Sequence, residues 1–185
     1  TYALTISGTG ALSPNSRWTA CASSIRSVSI AAGITDISYF LSGCPSLSSI
    51  TVDSENAYYY TVDGVLFRHT AATENGMSNK RVCDLKASSG NLIMYLPELT
   101  QSTAGKALIV YPAGSTADSY TIPNGVTAIQ YDAFAGCSAL KSLTLPSTLQ
   151  SLTEDAFAGC GSLEALIIGE NDSGFFTENG VLYQA

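Results

Sequence analysis

The chemistry this chain could perform rests first on one histidine and five cysteines in 185 residues. His69 has Cys83 as its nearest thiol in sequence. A Cys–His pair permits nucleophilic catalysis when the imidazole takes the thiol proton and a third group orients the ring. No motif supplies that third group, so His69 reads as a solvated loop residue. Cys44, Cys137 and Cys160 recur at one position of an internal repeat. Stacking would bring the last two to the coil spacing of about 4.8 Å. Zinc needs three or four converging ligands, and no C-x-x-C or H-x-E pair is present. These cysteines therefore read as buried thiols in a ladder. Their odd number fits a reduced or weakly oxidised set better than a disulfide framework.

Carboxylates offer no stronger constellation. Glu154 and Asp155 fall in a turn, while Asp53 with Glu55, and Glu170 with Asp172, follow strands where solvated acids are ordinary. Two-carboxylate glycoside chemistry needs a pocket to hold the sugar between them. Neither a Gly-Gly-x-Gly-x-Asp calcium run nor a Gly-rich phosphate loop with a lysine occurs. No catalytic residue, cofactor or metal ligand is expected.

The elements that position side chains follow from composition and period. Charged residues make up only 12% of the chain, against about 25% in an average globular protein. Ser, Thr, Asn and Gly supply the polarity instead, which suits an extended β surface. A net charge of −7 argues against nucleic acid and anionic lipid, which require a basic face. No stretch approaches the roughly 18 apolar residues of a membrane span. The chain opens at Thr1 with neither an initiator Met nor a signal-peptide pattern, and reads as a mature or trimmed chain.

Self-comparison exposes the repeat. Phe134-Ala-Gly-Cys-Ser-Ala-Leu-Lys-Ser-Leu-Thr-Leu145 returns one period later as Phe157-Ala-Gly-Cys-Gly-Ser-Leu-Glu-Ala-Leu-Ile-Ile168. Leu41–Val52 is a more divergent copy and Ser24–Ile30 a degenerate one. Strands aligned on Val28, Ile50, Tyr120, Leu143 and Leu166 follow one another at nearly constant steps, except between Ile50 and Tyr120, where the long step marks an insertion. Each strand is apolar-x-apolar, as a pleated strand with one buried face requires. Leu143 and Leu145 should point inward, and Ser142 and Thr144 outward. Leading halves such as Ile34–Ile37, Val126–Ile129 and Leu149–Leu152 return the chain, with Phe157 filling the coil from the other side. The expected architecture is a stack of parallel right-handed coils.

Gly136-Cys137 and Gly159-Cys160 should stand where the chain bends into the next strand. Asp63-Gly64 and Asn179-Gly180, each between apolar residues, predict two-residue type I′ hairpin turns. The aromatics ahead of them correspond, Tyr59-Tyr60 with Phe175-Phe176, and Tyr58 lengthens the first run. Two readings stay open for these rings: packing within the hairpin or onto the coil edge, or an exposed platform for a carbohydrate or protein partner.

Residues 68–106 form the insertion. Within it Arg81–Leu85, Leu92–Leu96 and Leu108–Tyr111 read as strands and Ser88–Asn91 as a turn, expected to widen the first hairpin into a small lateral sheet. Five of the eight basic residues (Arg68, Lys80, Arg81, Lys86, Lys106) lie here beside three acids, leaving this part near +2 and the rest near −9. Such asymmetry fits an interaction surface and equally fits cations guarding strand edges against pairing.

The units Ile122–Ile129, Ala133–Cys137 and Ala156–Cys160 resemble the BspA-like leucine-rich repeats of bacterial surface and secreted proteins. The opening Leu4–Gly10, and Val62–Phe67 with Glu178–Tyr183, are similar to other elements of that family; the insertion departs from it. The resemblance implies an α/β-type leucine-rich repeat solenoid. It would be β-rich, with short irregular or helical returns, projecting hairpins and a repeat length of roughly 22–23 residues, inside the range of such arrays. One domain is expected, with an N-terminal cap over 1–27, first repeats and hairpin over 28–67, the insertion over 68–106, and regular repeats with a second hairpin over 107–185. The resemblance further implies a secreted or cell-surface, non-enzymatic adhesion module whose partner is a protein or glycan on host or neighbouring cells. It carries no ligand-contact residues across.

From the residues themselves, the solvent side of the strands is a ladder of small, almost uncharged side chains. The contact candidates are Ser29, Thr51, Thr121, Ser142 and Thr144, joined by Tyr58, Tyr59 and Arg81. A structural spacer within a longer repeat protein is the second reading, and an enzyme with a site in the insertion the third. An open solenoid end is an exposed edge, which allows weak end-to-end self-association.

Overall fold

The computed structural model describes residues 2–12, 17–37, 40–70, 105–153, 155–168, 175–178 and 181–184. The strands read at Arg81–Leu85 and Leu92–Leu96, the Ser88–Asn91 turn and the Asn179-Gly180 turn lie outside them.

The apolar-x-apolar segments stack as expected. Strands β1 (Tyr2–Ile6), β3 (Ile25–Ile30) and β5 (Ser49–Val52) form a parallel sheet in which Leu4 pairs with Val28 and Val28 with Ile50. The opening motif thus supplies a strand one coil ahead of Val28. A second parallel sheet joins β9 (Ser119–Thr121), β11 (Ser142–Leu145) and β13 (Ala165–Ile168), with Tyr120, Leu143 and Leu166 in register. Leu143 and Leu145 are 0% and 1% exposed, each such burial being worth on the order of 2 kcal/mol.

The returns build the opposite wall. Here β2 (Gly10–Ala11) pairs with β4 (Ile34–Asp36), and β8 (Gly105–Val110), β10 (Val126–Ile129) and β12 (Ser151–Leu152) run parallel to one another. The product is a β-solenoid of about 5 turns built from ~23-residue repeats. Its returns are turns and short strands; the described helix is a 3-10 segment, Arg17–Ser24.

Strands β6 (Tyr59–Val62) and β7 (Val65–Thr70) form an antiparallel hairpin with Val62 opposite Val65. Asp63 and Gly64 take φ values of 51° and 76°, the two positive values of a type I′ turn. At the other end β14 (Phe175–Glu178) pairs antiparallel with β15 (Val181–Gln184).

The tip of the first hairpin is exposed at Asp63, but its body is part of the core. Of the strands expected to widen it into a lateral sheet, only Leu108–Tyr111 falls among the described residues, and there the hairpin continues the second wall in the order β6-β7-β8-β10-β12. Leu108–Tyr111, read as a strand of the insertion, enters β8 and pairs with both the hairpin and the solenoid. The reason is the consecutive run Val65-Leu66-Phe67, at most 1% exposed. Three apolar residues in a row bury both faces of a strand.

The two faces belong to different cores. Leu66, with Tyr59 and Val110, packs with Ile34, Ile37 and Ile50 of the first coils. Val65 and Phe67, with Leu108, pack with Ile129, Phe134 and Leu143 of the later ones. The hairpin is therefore a wall between two hydrophobic cores. In the later core an aromatic side chain recurs once per coil: Tyr111, Phe134 and Phe157 have successive ring centroids 5.3 and 5.6 Å apart.

Candidate functional site: the outward face of the parallel sheets

The alternation that buries Val28, Ile50 and Leu143 turns the intervening residues to solvent. Ser29 and Thr51 are exposed, and their hydroxyls lie 3.0 Å apart. Thr121 is exposed, Ser142 and Thr144 are half-buried, and Thr144 stands beside Thr121 and Ile167 in register. Ile167, 50% exposed, ends that file. The five candidates fall on two separate sheets, so the ladder is two panels.

The panels are joined at a close backbone approach. The Gly114 N–H donates to the Leu47 carbonyl at 2.7 Å. A Cβ on Gly114 would sit 2.6 Å from the Ser46 carbonyl carbon. Only glycine permits that contact.

A column of charge flanks the second panel. Asp118, Lys141 and Glu164 are all exposed and occupy one position of three successive coils. Lys141 N–H donates to Asp118 O at 2.7 Å, and Glu164 N–H to Lys141 O at 2.8 Å. The repeat step carries this alternation of sign in the sequence itself, since the three residues are evenly spaced.

The hairpin candidates divide. Tyr58 is 41% exposed and remains available. Tyr59, a contact candidate by sequence, is 1% exposed, so it packs rather than binds. Its hydroxyl accepts the Ile37 N–H at 3.2 Å, and burial pushes its pKa above the usual phenol value. Arg81 lies outside the described residues.

The basic residues Arg68 and Lys106 lie over the rings of Tyr59 and Tyr60, at 5.9 and 5.8 Å from the centroids. His69, expected in a loop, is an exposed residue of β7; its backbone N–H bonds the Tyr58 carbonyl at 2.9 Å and its ring lies 4.6 Å from that of Tyr60. The strand pairing of the hairpin draws it in. Cys83 is outside the described residues.

Sequence reasoning missed Asn56, the buried polar residue beneath the hairpin. Its amide nitrogen donates to Ala31 O and Ile34 O at 2.9 and 3.1 Å, and its oxygen accepts the N–H groups of Tyr58 and Tyr59, both at 2.8 Å. The corresponding position before Phe175 is Asp172, so self-comparison carried no repeated asparagine.

Of the three thiols read as one ladder, Cys137 and Cys160 pack in the later core and Cys44 in the first. Cys44 and Cys137 are buried and Cys160 is half-buried. Burial raises the Cys44 pKa, and the hydrogen bond with Cys160, with burial, raises that of Cys137. Among the described residues no three His, Cys, Asp or Glu converge to hold a metal, and no helix is long and apolar enough to cross a membrane.

Stacked parallel coils with inward aliphatic rungs and a solvated hydroxyl face define a leucine-rich repeat solenoid. Over residues 113–178 the chain matches the BspA type leucine rich repeat region, in six copies. A leucine-rich repeat protein from Eubacterium ventriosum shares the fold with a TM-score of 0.54 and 18% identity, the match covering 78% of this chain and 36% of that one. The pneumococcal vaccine antigen PcpA does so with a TM-score of 0.56 and 20% identity, covering 80% and 28%. The chain thus spans about a third of the length of these structures. No curated protein matches it.

Proposed function

We propose that the chain is a non-enzymatic, extracellular interaction module that binds a protein or glycan on host or neighbouring cells through the hydroxyl panels. The observation that carries this reading is the face itself. Its paired outward positions are Ser27, Ser29, Ser49, Thr51, Ser119, Thr121, Ser142 and Thr144, closed by Ala165 and Ile167, with no charge among them. The Asp118, Lys141 and Glu164 column runs alongside. Such a surface forms many weak contacts with an extended partner. The vaccine-antigen description of the pneumococcal relative supports an extracellular setting.

The test is a screen of the purified chain against matrix proteins and a glycan array, with Thr121→Lys/Thr144→Lys and a deletion of residues 71–104 as variants. Binding lost in the double lysine variant supports the panels. Binding lost only with the deletion moves recognition to that segment and overturns the reading. A second reading, a spacer within a longer repeat protein, is favoured by the chain's spanning about a third of the matched structures. It gains if nothing binds and the chain associates end to end.

A further inference from the structure

The position that carries a cysteine in successive coils does more than fill the core. Backbone bonds clamp the two last bends together: Phe134 N–H donates to Ala156 O and Gly136 N–H to Ala158 O, both at 2.8 Å. Cys160 Sγ donates to Phe134 O at 3.0 Å, and the same carbonyl accepts the Cys137 N–H at 3.1 Å. Cys137 Sγ donates in the same way to Tyr111 O, one coil earlier, at 3.9 Å, so the Cys160 thiol and the Cys137 backbone meet at the one Phe134 carbonyl. Coils stacked at about 4.8 Å fall within the roughly 4.4–6.8 Å Cα separation that a disulfide spans. One coil earlier the ladder stops, because Gly136 stands over Ala113 and the position below Cys137 is Gly114.

We propose that Cys137 and Cys160 are an oxidisable pair whose disulfide staples the last parallel coil to its neighbour when a small-molecule disulfide is present.

Cys160, half-buried, is reached first; Cys137 is 2% exposed. With oxidised glutathione as oxidant, the Cys160 thiolate attacks one glutathione sulfur, that S–S bond breaks, and the departing thiolate takes up the Cys160 proton. Cys137 then loses its proton, attacks Cys160 Sγ and expels the second glutathione as a thiol. Two protein thiols are oxidised to one disulfide, and one glutathione disulfide is reduced to two thiols. The closed loop is one full coil, so the bond restrains the strand pair β11–β13 against unfolding.

The experiment is to incubate the reduced, folded chain with oxidised glutathione, block free thiols and digest with trypsin. Trypsin cuts after Lys106 and Lys141, and no Lys or Arg follows Lys141. The staple therefore joins peptides 107–141 and 142–185, and reductant separates them. The expected result is that linked pair, with a melting temperature raised by several degrees over the reduced chain. The rise is absent in Cys160→Ser and kept in Cys44→Ser. Glutathione remaining on Cys160 beside a free Cys137 thiol, or Cys160 linked to another cysteine, overturns the proposal. The peptide readout needs no variant, so it stands even where a serine substitution impairs folding.

Discussion

The hydroxyl of Tyr59, on the hairpin, accepts the backbone N–H of Ile37 at 3.2 Å, tying the wall between the two cores to the preceding coil. Tyr59→Phe leaves that buried donor unpaired and costs about 1–3 kcal/mol. Chemical denaturation should report it as a lower midpoint with an unchanged slope.

Asn56 seats the same hairpin through four hydrogen bonds. Asn56→Ala strands two carbonyls and two N–H groups in a buried site, for an expected loss of about 2–4 kcal/mol. Thr51→Val, which removes an exposed hydroxyl pair with Ser29, should stay within about 0.5 kcal/mol. Comparable losses from the two variants would remove Asn56 from its structural role.

Tyr120 presents the converse case. Its hydroxyl oxygen is buried with no hydrogen-bond partner among the described residues. Tyr120→Phe discards that polar group and keeps the ring packing on Tyr111 at 4.9 Å, so stability should hold or rise by about 1 kcal/mol. Burial raises the pKa of Tyr59, Tyr60, Tyr111 and Tyr120 alike. Their neutral forms are favoured by folding, so this stability is fully present below the unfolded phenol pKa of about 10. It is lost as pH rises through the folded values. An alkaline melting series should fall from that pH upward, and less steeply in Tyr120→Phe.

Asp132 has a φ of 57°, a left-handed conformation that asparagine tolerates well. Partial burial and then the Asp155 charge raise its pKa. A raised carboxylate contributes stability below the unfolded pKa of about 4 and loses it as pH climbs through the folded value. Asp132→Asn escapes that loss. Its melting temperature should exceed the parent's at pH 7 and converge with it at pH 3; a constant difference would implicate backbone conformation alone.

Gly114→Ala forces a methyl group onto the Ser46 and Leu47 backbone, with contacts of 2.6 to 2.9 Å. Because backbone rather than a flexible side chain stands in the way, the two panels must separate. The expected cost is about 2–4 kcal/mol, read by thermal melting, with the Gly114 amide, which donates to the Leu47 carbonyl, the first to lose protection from hydrogen exchange.

The period, the inward residues and the register were legible in the sequence because each coil repeats the pattern of the one before it at a nearly constant step. Val28 over Ile50, and Tyr120 beside Leu143 and Leu166, stand where self-alignment placed them. Asp63-Gly64 likewise specified its turn through local backbone preference. Tertiary structure alone decided how the non-repeating parts meet the coils. The run Val65-Leu66-Phe67 carried a hint of two-sided burial, yet nothing in the order of residues said that each face would have its own core. Tyr59 and Asn56 acquired their partners from an earlier coil, and Gly114 its function from a backbone that only folding brings against it. A repeat reports its contacts through periodicity, whereas a single contact between distant segments leaves no periodic trace, so it becomes visible only when the chain is closed.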